Sequence, residues 1–112
     1  MFFKNHGFDN ISPDELREKR EKGEDFLLLD VRTPAENASQ AIDGSQLIPV
    51  QELAHRVAEL PRNKEIVAYC RVGNRSAFAA AYLARLGYTV KNLDGGILAW
   101  NMTQGAAFMR AS

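Results

Sequence analysis

Apolar residues in this chain fall in short blocks, and their spacing changes from block to block. Phe26-Leu27-Leu28-Leu29-Asp30-Val31 and Glu65-Ile66-Val67-Ala68-Tyr69 are continuous runs rather than alternating ones. Runs of this kind predict strands covered on both faces. Gln46-Leu47-Ile48-Pro49 predicts a short strand halted by Pro49, and Tyr88-Thr89-Val90-Lys91-Asn92-Leu93 predicts a last one. Between them the spacing turns helical. Leu53, Val57 and Leu60, with Ala54 and Ala58 beside them, predict a helix over 50–60. Phe78, Ala79, Tyr82, Leu83 and Leu86 predict the buried side of a helix from Ser76 to Leu86, ended by Gly87.

Helix starts are written locally. Ser12-Pro13-Asp14-Glu15 supplies an N-cap, a proline at the first helical position and a capping box, with Ile11 and Leu16 placed for a hydrophobic staple. Gly23 offers the left-handed stop. Thr33-Pro34-Ala35-Glu36 begins another short helix, and Asp94-Gly95-Gly96 turns the chain into a final helical stretch carrying Trp100. Strands alternating with helices predict an α/β fold: a central parallel sheet with helices on both faces. In such sheets ligands bind beyond the carboxyl ends of the strands. Cys70 falls at one such end and Asp30 at another.

A length of 112 residues suits one domain, with a core over about residues 8–101 and a C-terminal helix or tail over 102–112. An apolar content of 46% and a charged content of 25% are ordinary for a soluble protein. Fourteen basic residues balance fourteen acidic ones, which gives no global attraction to nucleic acid or to anionic membranes. The densest charge run, Arg17 to Lys22, mixes both signs and predicts a solvated helix face. No run is long and apolar enough to span a bilayer, and Met1 to Gly7 lacks the apolar core of a signal peptide. The single cysteine excludes an internal disulfide and fits a reducing, cytoplasmic setting.

That cysteine carries the candidate chemistry. Cys70-Arg71-Val72-Gly73-Asn74-Arg75-Ser76 lies between a predicted strand and a predicted helix. A helix N-terminus and nearby cations lower a thiol's pKa and make it a thiolate at neutral pH. Arg71 and Arg75 carry charges that do not titrate away. Gly73 allows left-handed geometry and Asn74 tolerates it, so the loop can turn its amides inward as an anion nest. The expected object is a cup of N–H groups with a sulfur at its base and an arginine at its rim. Read blandly, Cys70 is a small buried apolar side chain at a strand end; the arginines, the glycine and the helix start outweigh that reading.

This loop resembles the active-site loop of rhodanese-like sulfurtransferases, and the resemblance runs from about Ile11 to Trp100. Asp30-Val31-Arg32 with Glu36, Ile42 to Pro49, and Asp94-Gly95-Gly96-Ile97-Leu98-Ala99-Trp100 are similar to the family's other signatures, in order and at family spacing. The resemblance implies a single rhodanese-like domain of the α/β class. It implies that Cys70 is the sulfur-accepting nucleophile. Arg71, Val72, Gly73, Asn74 and Arg75, with Ser76 at the helix start, would form the loop that holds the transferred sulfur. Asp30 and Arg32 would organise the site. The chain departs from the family where Gln40-Ala41-Ile42 replaces a frequent Gly-His-Ile, and where Asn37 stands at a commonly aromatic position.

The implied reaction moves a sulfane sulfur from thiosulfate or a persulfide donor, through a Cys70 persulfide, to a thiol, cyanide or a sulfur-accepting protein. It calls for no cofactor and no metal. Sulfite leaves as an anion, so no histidine is needed, and His6 and His55 are expected to be idle. A carrier that loads sulfur without turnover is the alternative. Cysteine-dependent phosphatases and arsenate reductases are the less favoured rivals. Phosphatases set the arginine one residue farther from the cysteine, whereas four residues separate Cys70 from Arg75 here. The tighter loop suits one bound sulfur better than a tetrahedral oxyanion.

Overall fold

The computed structural model describes residues 7–111, with side chains through residue 103, so His6 lies outside the described residues. Helix α1 (Pro13–Glu21) starts where local chemistry dictates. The Ser12 hydroxyl accepts from the Glu15 amide at 3.0 Å, and the Glu15 carboxylate accepts from the Ser12 amide at 2.8 Å. Strand β2 (Phe26–Asp30) follows, then α2 (Pro34–Ser39), which carries a second reciprocal capping box between Thr33 and Glu36. Beyond them come β3 (Gln46–Leu47), a single α-turn α3 (Leu53–Arg56), β4 (Glu65–Tyr69), α4 (Asn74–Arg85), β5 (Val90–Leu93) and α5 (Gly96–Ala111).

The sheet is parallel throughout, in the order β1-β5-β4-β2-β3, where β1 is the short edge strand Asp9–Ile11. From β2 the chain moves outward to β3; from β4 it moves outward the other way, to β5. The carboxyl ends of β2 and β4 therefore flank the point where the connections diverge, which is where a crevice opens in such sheets. Successive strand residues face opposite layers. Leu29, Val31, Ile66, Ala68, Cys70 and Val90 join one core with Ala79, Ala80 and Leu83 of α4. Leu28, Val67, Tyr69 and Leu93 join the other with Leu16 of α1 and Ile97 and Trp100 of α5. Ile11 and Leu16, the expected staple pair, are both buried in that second core.

Five elements differ from the sequence expectation. Strand β1 carries no apolar run, because a three-residue edge strand needs only the backbone partners that β5 supplies. Residues 50–60 form α3 with a 3-10 turn on either side rather than one helix. Both ends of that segment are pinned: the Val50 amide donates to the Val31 carbonyl at 3.0 Å, and the Tyr88 hydroxyl donates to the Val57 carbonyl at 3.1 Å. Helix α4 begins two residues earlier than expected and packs through Ser76, Ala79, Ala80 and Leu83. With that face against the sheet, Phe78 falls on the solvent side at 72% exposed, and Leu86 is exposed as well. Strands β3 and β5 are shorter than expected: the Ile48 amide still donates to the Asp30 carbonyl at 2.9 Å, but Pro49 has no amide to extend the ladder, and Tyr88 serves as a core side chain before the β5 ladder begins.

Candidate active site

Strand β4 ends at Tyr69, and the next residue places its sulfur under the start of α4. The carbonyls of Cys70 and Arg71 accept from the Ile97 and Leu98 amides, at 2.9 and 3.2 Å, at the start of α5. Tying those carbonyls to α5 turns the following amides the other way, toward the sulfur. Gly73 completes the turn at φ 113°, a conformation that other residues adopt only with strain. Its amide donates to the Cys70 Sγ at 3.2 Å, and the Ser76 amide donates at 3.4 Å. The latter is one of the N–H groups that a helix start leaves without an intrahelical acceptor. Cys70 is 1% exposed, and its sulfur sits at the base of the cup.

Two opposed effects act on the thiol. Burial pushes its pKa up, because the thiolate loses its hydration. Hydrogen bonds to the sulfur pull it down, from the Ser76 hydroxyl in the orientation where its proton faces the sulfur, from the Ser76 amide and from the Gly73 and Val72 amides, and together they bring it below the ordinary cysteine value. Hydrogen-bond donors thus do what the sequence assigned chiefly to helix dipole and arginine charge. The Ser76 hydroxyl faces two acceptors, Cys70 Sγ at 3.3 Å and Asn92 Oδ1 at 2.6 Å.

Arg75 stands at the rim, and it is already paired. Its Nη1 and Nη2 donate to the two carboxylate oxygens of Glu36 at 2.8 and 2.9 Å. The pairing and the Thr33 amide hold the Glu36 carboxyl down to about 2. Its guanidinium still feels the charge of Cys70. Arg71 projects outward, and among the described residues its side chain has no hydrogen-bond or ion-pair partner. Val72 and Asn74 are also exposed, so each contributes backbone rather than a buried side chain.

Asp30 and Arg32 do not touch the sulfur. Arg32 clasps Asp30 through Nε and Nη2 at 2.9 and 2.7 Å, with both residues buried. Burial pushes the Asp30 carboxyl up, but bonds from Arg32 and Asn37 outweigh it and leave it low. The pair extends to α2: Asn37 Nδ2 donates to Asp30 at 3.0 Å, and Arg32 Nη2 donates to the Gln40 carbonyl at 2.7 Å. Helix α2 in turn carries Glu36, so the pair reaches Arg75 through that helix. Asn37 and Gln40, the positions that depart from the family pattern, are therefore both part of this clasp. Beside the loop lies an open groove of about 350 Å³ lined by Arg32, Ala35, Glu36, Arg71 and Leu98, among others.

Sequence reasoning placed Cys70, Val72, Gly73 and Ser76 together, and the structure gathers them at one sulfur. It left Glu36 and Asn92 out of the candidate site. Glu36 could have been found as the acid three residues past the Thr33 cap; nothing local marks Asn92. His55 is exposed on α3.

A parallel α/β sheet with a cysteine under a helix N-terminus at its carboxyl edge defines the class to which this protein belongs. The rhodanese-like domain family matches residues 12–103, and the chain belongs to that family. It is 42% identical over 93 residues to a sulfurtransferase of Allochromatium vinosum, covering 82% of this chain and 87% of that protein. It is 35% identical over 94 residues to the thiosulfate sulfurtransferase GlpE of Pseudomonas aeruginosa, covering 83% and 84%. Among solved structures, a rhodanese-related protein from Thermoplasma volcanium superposes with a TM-score of 0.80 at 33% identity, over 86% of this chain and 93% of that one. Among the described residues no helix is long and apolar enough to cross a membrane.

Proposed function

We propose that this protein is a sulfurtransferase that works through a persulfide on Cys70. The observation that carries the reading is the Cys70 Sγ held by the Gly73 and Ser76 amides, with four residues between Cys70 and Arg75. Thiolate Sγ attacks the outer sulfur of thiosulfate or of a persulfide donor. A new S–S bond forms, the donor's S–S bond breaks, and its electron pair leaves on sulfite or on the donor thiolate. The outer sulfur, now anionic, is received by the amides of Val72, Gly73 and Ser76. A thiol or cyanide then attacks that sulfur and returns Cys70 to the thiolate.

Arg75 and Arg71 add positive charge near the entering dianion, and Asp30 with Arg32 keeps α2 and Glu36 in place. The step needs no proton donor for sulfite and no cofactor. The reacting thiol must start reduced, which suits a cytoplasmic setting. A non-turnover sulfur carrier for a protein partner uses the same persulfide; the burial of Cys70 favours it to the extent that a small acceptor is slow to reach the sulfur.

Intact mass after incubation with thiosulfate tests the reading. The expected result is a gain of one sulfur atom that is absent in Cys70→Ser. No gain in the wild type overturns it, as does Cys70-dependent turnover of an aryl phosphate without sulfur loading. Repeated turnover with thiosulfate and cyanide marks the enzyme, and stoichiometric loading alone marks the carrier.

A further inference from the structure

Beneath the cup, the Ser76 hydroxyl has one proton and two acceptors. Asn92 Oδ1 lies at 2.6 Å, and Cys70 Sγ lies at 3.3 Å. The Asn92 amide cannot turn over without loss. Its Nδ2 donates to the Gly73 carbonyl at 3.3 Å and approaches Asn10 Oδ1 at 3.5 Å. A carbonyl can only accept, so the nitrogen must face Gly73 and the oxygen must face Ser76. Facing an amide oxygen at short range, the hydroxyl gives its proton to Asn92 and turns a lone pair toward the sulfur. Ser76 is fully buried and Asn92 is 5% exposed, so water does not relieve the competition.

We propose that Asn92 is a positioning residue for Cys70: by holding the Ser76 hydroxyl proton on its own amide oxygen, it keeps Ser76 from stabilising the bare thiolate and keeps that sulfur the stronger nucleophile. In the thiol, Cys70 S–H donates to Ser76 Oγ, and every group in the chain Cys70–Ser76–Asn92 is satisfied. In the thiolate, the hydroxyl serves the sulfur only by abandoning Asn92, which leaves a buried amide oxygen without a partner. Stabilisation of the anion therefore rests on the amides. A less stabilised thiolate attacks faster, because nucleophilicity rises with basicity. Once the persulfide forms, Sγ is neutral and the charge moves to the outer sulfur, so the Ser76–Asn92 bond has nothing to compete with. The pair thereby disfavours the free thiolate relative to the loaded state.

Arg75 of α4 is paired to Glu36 of α2, Asp30 at the end of β2 is clasped by Arg32, and Arg71 is exposed. Neither Asn92 of β5 nor Gly96 and Ile97 at the start of α5 titrates.

The proposal rests on Cys70 being the reacting atom, but its test reads ionisation and not turnover, so the two readings fail separately. Cys70 is the sole cysteine, so ultraviolet thiolate absorbance against pH reports it alone. Asn92→Leu frees the hydroxyl to turn to the sulfur. The thiolate-to-thiol ratio at fixed pH is expected to rise about three- to tenfold, the size of one ordinary hydrogen bond. In the Ser76→Ala background the same substitution is expected to change nothing. An unmoved or raised ionisation midpoint in Asn92→Leu overturns the proposal, as does an equal shift without Ser76. Ser76→Ala alone keeps the question decidable if Asn92→Leu does not fold. A hydroxyl already held by Asn92 leaves the ratio within about threefold when removed, and a fall of tenfold or more shows that it was serving the thiolate and refutes the assignment.

Discussion

Gly96→Ala isolates the contact that shapes the cup. A Cβ on Gly96 would lie 2.5 Å from the Cys70 carbonyl oxygen and from the Arg71 carbonyl carbon, and closer still to the Arg71 oxygen. All three are backbone atoms, so no side chain can swing aside. Two costs follow. The residue sits at φ 61°, where an L side chain costs about 1–2 kcal/mol. Forcing backbone apart in a packed region adds about 1–3 kcal/mol. The sum, about 2–5 kcal/mol, lowers the melting temperature of a domain this size by about 10–25 °C. Gly44→Ala supplies the comparison, since Gly44 has φ 84° with nothing within 4 Å of its added Cβ, and it should show the conformational cost alone. The displaced carbonyls are the ones that α5 holds, so Gly96→Ala should also misalign the amides over the sulfur. Thermal denaturation followed by circular dichroism, with persulfide loading from thiosulfate, reads both effects. A Gly96→Ala protein that melts with Gly44→Ala and loads at the wild-type rate would refute the argument that α5 holds the loop.

The Glu36–Arg75 pair should show in acid. Glu36 is held to about 2 in the folded protein against an ordinary value of 4.5, so its stabilisation is complete above pH 4.5 and lost as pH falls toward 2. The pair is partly solvated, so the loss is about 0.5–1 kcal/mol after screening; melting curves across that window should fall more steeply for the wild type than for Glu36→Gln, and parallel curves would contradict it. Asp30→Asn leaves the buried Arg32 without its carboxylate and should cost about 3–5 kcal/mol in urea denaturation. Replacing both residues together, as Asp30→Leu with Arg32→Met, should cost less than Asp30→Asn, and the reverse order would show that the pair itself, not the orphaned charge, sets the penalty.

Much of the fold was legible because its signals are local. The apolar run of β4 marked its strand to the residue, and the Ser12 cap and Pro13 marked the start of α1. The cup was legible for the same reason: Cys70, Gly73 and Ser76 are within one loop, and the loop's bend follows from its own glycine. Elements without local signals were not. Strand β1 exists because β5 offers it an edge, and the segment after Pro49 breaks into turns because Val31 and Tyr88 hold its ends.

Sequence alone determined that this is a parallel α/β protein of the rhodanese-like family with one thiol under a helix start. Tertiary structure decided what surrounds that thiol. Glu36 meets Arg75 across 39 residues, and Ser76 meets Asn92 across 16. The carbonyls of Cys70 and Arg71 are held by amides from a helix that begins after the last strand. Those partners depend on which strands lie side by side and on which face each helix covers. No window along the chain encodes that order; it arises only when the two cores close around the sheet.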